Sequence, residues 1–170
     1  MNEVITIRAL CVEDIPVFVA GENAQGWHST PEKLEMRLAH QGAGQCHALV
    51  AEYAGEPAGY VHVYPDSQWG PEHFRGLPEI VDFAVLEKFR RRGIGAALMD
   101  AAEALAAGYA EEVYLGVGLH SGYGSAQRMY VKRGYVPDGT GVWYGEKVCE
   151  PYSDTVNDDD LNLYFSKRLK

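Results

Sequence analysis

Hydrophobic residues alternate with polar ones in some stretches of this chain and recur every three or four positions in others, and these two periods mark out its elements. Ile5-Thr6-Ile7-Arg8 alternates and predicts a first strand, while residues 12–20 show helical spacing at Ile15, Phe18 and Val19. Ser29-Thr30-Pro31-Glu32 reads as a second helix start, a hydroxyl cap before a proline, leading to Leu34, Met36 and Leu38. His47–Tyr53 and residues 58–64 are β-type runs joined by Ala54-Gly55-Glu56-Pro57, which predicts an antiparallel hairpin. Residues 65–78 are broken by proline and glycine but carry Trp69, His73 and Phe74, so a binding loop and ordinary packing are equally open. A strand at 79–86, a helix over Ile94–Ala107 stopped by Gly108, a strand at 112–117 and a helix at 125–133 ended by Gly134 follow. Tyr135-Val136 starts a further extended piece, residues 139–160 read as turn-like and acidic, and 161–166 alternate as a last strand. The order of elements is α/β or α+β, and no internal repeat interrupts it.

Composition narrows what such a fold could do. With 170 residues and 46% hydrophobic content, the chain suits one domain, 1–170, with its own core. Met1-Asn2-Glu3-Val4 has no basic stretch leading into an apolar run, and no apolar run nears the roughly 18 residues of a membrane span. The expectation is a cytoplasmic protein with no membrane partner. A net charge of −9 repels a polyphosphate and argues against nucleic acid; it could draw a cationic substrate, although acidity for solubility alone is commoner. Cys11, Cys46 and Cys149 form no close pair and no two histidines are helically spaced, so no metal is expected. Asp158-Asp159-Asp160 reads as a solvated turn before the last strand.

The chemistry is concentrated at the junction of the 79–86 strand with the next helix, Val81-Asp82-Phe83-Ala84-Val85 through Arg90-Arg91-Arg92-Gly93-Ile94-Gly95-Ala96. A diphosphate needs backbone N–H groups aimed at it with no side chains in the way, and the first turn of a helix supplies them. Gly93 and Gly95 clear that approach and three arginines add charge. A P-loop would require Gly-Lys-Ser/Thr here, and a dinucleotide fold a third glycine where Leu98 stands. A purely structural glycine turn stays open from these residues alone.

Arg90-x-x-Gly93-x-Gly95 after an apolar strand resembles the acyl-coenzyme-A signature of the GNAT N-acetyltransferases. Ala126-Gln127-Arg128-Met129-Tyr130 through Gly134-Tyr135 resembles that superfamily's later helix, with an alanine, a tyrosine four residues on and a closing Gly-aromatic pair. The resemblance implies a mixed, mostly antiparallel sheet flanked by helices, with parallel strands 79–86 and 112–117 splayed apart around acetyl-CoA. It implies that the main chain of Phe83, Ala84 and Val85 holds the pantetheine arm, that the amides of Arg91, Arg92, Gly93, Ile94, Gly95 and Ala96 take the diphosphate beside Arg90, and that Ala126 lines the cofactor. Tyr130 would protonate the leaving thiolate; read without the motif, it is a core-filling tyrosine. One departure stands out, because the asparagine that many members carry three residues before the alanine is Tyr123 here.

The enzyme so implied moves an acetyl group to a primary amine by direct attack on the thioester; the alternative is a non-catalytic acyl-CoA sensor or interaction module. The base has two candidates, Glu79, which resembles the position used in histone-type members and is favoured, and Asp82. Strand alternation puts them on opposite faces unless a bulge intervenes, so only one should face the acceptor. The acceptor, a small-molecule or peptide amine, is left open among antibiotics, polyamines, amino acids and protein N-termini. Pairing of the last strand would give a homodimer.

Overall fold

The computed structural model describes residues 4–170, and the first three residues, Met1-Asn2-Glu3, read above for a leader, lie outside the described residues. Eight strands form one sheet: β1 (Ile5–Ala9), β2 (His47–Tyr53), β3 (Glu56–Tyr64), β4 (Glu79–Val85), β5 (Glu112–Gly118), β6 (Val136–Tyr144), β7 (Lys147–Val148) and β8 (Leu161–Arg168). Their order is β1-β2-β3-β4-β5-β8-β6-β7, antiparallel except where β4 meets β5. Four helices flank it, α1 (Asp14–Ala24), α2 (Glu32–Gly42), α3 (Ile94–Ala107) and α4 (Gly124–Lys132). This is the mixed, mostly antiparallel fold with one parallel pair that the resemblance implies.

Both faces of the sheet are covered at its central strands, whereas β6 and β7 are largely exposed. Along β3, Tyr60 meets Phe18 of α1 edge to face at 4.9 Å, while the next residue back, Gly59, points at Leu98 of α3. So α1 and α2 cover one face and α3 the other, and the strand interiors read as apolar runs for that reason. The β4 and β5 strands register at one pair, Glu79 with Tyr114, with one further bond from the Tyr114 amide to the Pro78 carbonyl, and then part.

Several boundaries move from their sequence reading. The first helix starts at Asp14, whose carboxylate accepts the Cys11 amide and both ends of the Arg8 guanidinium, and it runs on to Ala24. No side-chain hydroxyl caps α2; Pro31, fixed at φ −70°, opens it instead. The tail is less turn-like than expected, since β6 continues through Gly139 and Gly141, both at positive φ, to Trp143 and Tyr144. Those glycines accompany a shift of register against β8 between Pro137 and Val142, a bulge whose composition imitates a turn. The last strand pairs with β5 on one side and β6 on the other, so it has no free edge to lend to a dimer.

A second bulge shapes β4. Between pairs Tyr60–Ala84 and His62–Val81, β4 has one residue more than β3, and Asp82 there adopts φ 58°. Gly59 lies beside this distortion, where a Cβ would stand 2.7 Å from the Ala84 carbonyl oxygen. Gly59→Ala should therefore destabilise the fold by about 1–3 kcal/mol, a fall in Tm of roughly 2–12 °C in a chain this size, because backbone must give way. A melt indistinguishable from wild type would show that the two strands are not in this contact.

Candidate active site

The opening of α3 is built as the glycines suggested. Gly93 takes φ 82° as the N-cap, a conformation that costs glycine little, and Arg91 before it is also left-handed at 63°. The first bond into the helix runs from the Ala97 amide to the Gly93 carbonyl. Among the described residues no acceptor meets the amides of Arg91, Gly93, Ile94, Gly95 or Ala96, so a row of donors with the helix dipole behind it faces outward. At Gly95 a Cβ would come 3.0 Å from the Phe83 ring. This cradle fits a diphosphate. Two of the three arginines, Arg90 and Arg91, line the adjoining cleft; Arg92 instead turns to the Tyr53 hydroxyl at 3.1 Å and lies over its ring.

The cleft, about 1170 Å³, runs from this cradle into the gap between β4 and β5 and on to the segment joining α1 and α2. Phe83, Ala84 and Val85 form one wall, with Gly116, Val117 and Gly118 opposite. Past Glu79 the edge of β4 that faces β5 has no ladder partner, so its backbone groups are free to bond an extended amide chain as another strand would. Ala126 and Tyr130 of α4 line the same space. The Tyr130 side chain is buried, and burial raises its pKa, yet its hydroxyl has no hydrogen bond among the described residues and is not one of the sealed polar atoms. It opens on the cleft.

The two carboxylates do not lie on opposite faces. The bulge returns Asp82 to the face that Glu79 shares with Tyr64, toward α2. Asp82 lines the cleft and is held by the Arg37 guanidinium at 2.6 Å; burial alone would raise its pKa, but the charge and hydrogen bond of Arg37 bring it below the usual range. Glu79 stands behind the lining, bonded by the Tyr114 hydroxyl at 3.2 Å and roofed by Ser67, and burial raises its pKa. The 65–78 loop supplies that roof: Phe74 stacks on Tyr114 at 4.3 Å and Trp69 lies over His40.

Other residues meet at the cleft without having been singled out in the sequence. Glu22 accepts hydrogen bonds from Tyr60 and Ser29, with Lys33 on the Tyr60 hydroxyl. Their signal was the polar alternation Tyr60-x-His62-x-Tyr64 in a strand otherwise apolar. His120 and Asp159 also line the cleft, and the acidic run before β8 is the solvated turn expected, with Asp159 paired to His120 at its surface.

The sequence profile of the Acetyltransferase (GNAT) family matches residues 14–135. The chain belongs to that family. An N-alpha-acetyltransferase of Sulfurisphaera tokodaii is 40% identical over 95 residues, 51% of this chain and 54% of that protein, so the match spans about half the relative's length. Ard1 of Thermoplasma volcanium shares the fold with a TM-score of 0.67 at 24% identity, over 96% of this chain and 97% of its own. So does YncA of Salmonella typhimurium, whose structure holds its cofactor acetyl-CoA, with a TM-score of 0.67 at 18% identity over 98% and 94%. The GNAT chain has, among its described residues, no helix long and apolar enough to cross a membrane and no metal-binding cluster.

His62, beneath Asp82, is fully buried and stacked on Tyr60 at 5.5 Å; neither ring nitrogen has a hydrogen bond among the described residues, and Nε2 lies 3.9 Å from the Asp82 carboxylate. Burial lowers its pKa from 6.5 to about 4. The folded state thus resists a proton that the unfolded chain accepts, so stability is whole above about pH 6.5 and falls as pH drops toward 4, by an amount on the order of 3 kcal/mol. Thermal melts from pH 7 to 4.5 should show this loss, and His62→Phe, which keeps the stacked ring, should flatten it. An equal slope in the variant would assign the loss to other groups.

Proposed function

We propose that this GNAT chain is an acetyl-CoA-dependent N-acetyltransferase acting on a primary amine. The observation that carries the reading is that one continuous cleft is lined by a helix N-terminus with unpaired amides, an open strand edge and an unpartnered tyrosine hydroxyl. Each suits a different part of one ligand: diphosphate, amide-bearing arm and thioester sulfur. Acetyl-CoA supplies a thioester whose carbonyl carbon the amine attacks, with loss of the C–S bond.

The chain's residues then have separable tasks. Amides from Arg91 to Ala96 hold the diphosphate, and the edge of Phe83, Ala84 and Val85 aligns the arm and offers an N–H near Val85 to the developing oxyanion. Tyr130 gives its proton to the departing sulfur, and its burial keeps that proton in place until a base forms beside it. The proton shed by the amine goes to Glu79 through at least one water, since Glu79 lies behind the lining. Between the two carboxylates, burial makes Glu79 the better proton acceptor, whereas Arg37 commits Asp82 to its charged form. The relative's name favours a polypeptide α-amine as acceptor. Such an amine titrates near 7.7–8.0, against about 10.4 for lysine, and asks less of its base.

Incubation with acetyl-CoA and a panel of amines tests the reading. Thiol release above background is expected, and Tyr130→Phe should fold normally while turning over roughly 10²–10⁴-fold more slowly. A loss under about threefold returns Tyr130 to packing, and tight binding without turnover makes the chain a sensor.

Glu79→Gln should slow turnover at neutral pH and recover as the acceptor deprotonates in bulk water, near pH 8 for an α-amine and nearer 10 for a lysine. If the variant's pH–rate profile overlays that of wild type while Asp82→Asn removes the acidic limb, the roles are reversed.

A further inference from the structure

Because β4 and β5 are parallel, the loops that follow them leave the sheet at the same end. The loop after β4 carries the amide cradle of α3. The loop after β5, residues 119–123, carries a cluster that flanks the same mouth and that the catalytic reading does not use. His120 Nε2 lies 2.8 Å from Asp159 Oδ1, and the Tyr123 hydroxyl donates to that same oxygen at 2.9 Å. His120 Nδ1 accepts the Gly122 amide at 3.0 Å, so both ring nitrogens are engaged within the cluster. The two rings lie 4.6 Å apart, and the Tyr123 ring covers Gly118 so closely that a Cβ there would collide with it. Gln127 of α4 ties the loop down from behind, donating to the Gly118 carbonyl at 2.8 Å.

Asp159 reaches the cluster from the turn before β8, beside Asn162, which pairs with Gly118. Asp159 is an exposed side chain, 79% accessible, at the rim of the cleft, and its Oδ2 carries no hydrogen bond among the described residues. Tyr123 stands where many similar proteins place an asparagine, but its hydroxyl is already committed. What the position offers a ligand is a ring face, with the open carboxylate oxygen beside it as acceptor.

We infer that Asp159, His120 and Tyr123 form a clasp that positions the amide-bearing arm of acetyl-CoA, taking over from the absent asparagine through a residue of the pre-β8 turn. The inference rests on the acetyltransferase reading. Asp159 is a positioning residue in it: it fixes Tyr123 against Gly118 and presents Oδ2 to an N–H of the arm.

Titration calorimetry with acetyl-CoA and with ADP, which lacks the arm, separates this from general damage. Asp159→Ala and Tyr123→Phe should each weaken acetyl-CoA by about three- to tenfold, the scale of one net hydrogen bond, and leave ADP within about twofold. Because both act on one clasp, the double variant should be no weaker than the worse single one. In turnover, the loss should fall on the KM for acetyl-CoA rather than on kcat. Asp159→Asn, nearly isosteric, gives the same reading of the open oxygen should the alanine variant unfold. Parallel losses for both ligands, additive losses in the double variant, or unchanged acetyl-CoA affinity would overturn the clasp alone. Wild-type protein without affinity for acetyl-CoA would overturn the acetyltransferase reading and the clasp together.

Discussion

The parting of β4 and β5 after the Glu79–Tyr114 pair is the constraint on which the rest of the site depends. A sheet does not open without cause, because every buried N–H and C=O that leaves a ladder needs another partner. Here the opening is wedged from both sides. The extra residue at Asp82 bends β4, and Arg37 of α2 holds that bulge by its carboxylate. On β5, glycines at 116 and 118 admit the rings of Tyr164 and Tyr123 against the backbone, where side chains would have forced these residues away. The outer edge of β5 is meanwhile saturated by β8 along seven registered pairs, so that strand can lose its inner partner and stay in the sheet.

The same wedge sorts the ionisable groups. Glu79 sits where the strands still touch, dry and roofed, and its pKa rises; three residues on, Asp82 sits where they part, within reach of Arg37, and its pKa falls. A carboxylate that readily accepts a proton and one committed to its charge therefore share one strand and one face. His62 beneath them resists a proton chiefly because it is fully buried, with the nearby charge of Arg37 adding to the effect and that of Asp82 opposing it. The chain's net charge of −9 has no part in this arrangement, which is made by local partners.

What could be read from the sequence follows from which interactions are local. The limits of α3 are set by Gly93, an alanine-rich run and Gly108, all within the segment, and Ile94–Ala107 was legible residue for residue. The row of unpaired amides that opens α3 was legible for the same reason, as two glycines and a helix start suffice to make it. The β4 bulge was not, because it comes from a register between β3 and β4 and from an ion pair spanning 45 residues between Arg37 and Asp82. Strand alternation therefore misplaced Asp82 relative to Glu79. The extent of β6 was hidden by Gly139 and Gly141, whose bulge has the composition of a turn, and Asp159 by a partner 39 residues away. Arg92 looked like a third phosphate ligand until Tyr53, at the end of β2 and 39 residues back in the chain, claimed its side chain.

A physical reason links the stability of this fold to the cleft between its parted strands. Tyr130 is packed by Phe83 at 6.3 Å and Tyr135 at 5.8 Å, and apolar surroundings of that kind would serve a phenylalanine equally well. The hydroxyl adds to that packing only a donor that opens on the cleft and has no partner among the described residues. Local costs are carried across the cleft by His62 on β3, sealed without a hydrogen bond, and by Asp82 on β4, held left-handed. Tyr130 and Asp82 line the cleft and His62 lies beneath Asp82, so these features are gathered at one place in the fold. The sheet around it is correspondingly over-determined, with β2 and β3 closed into a hairpin on one side and β5, β8 and β6 on the other, so that the losses are confined to the gap and do not spread into the fold.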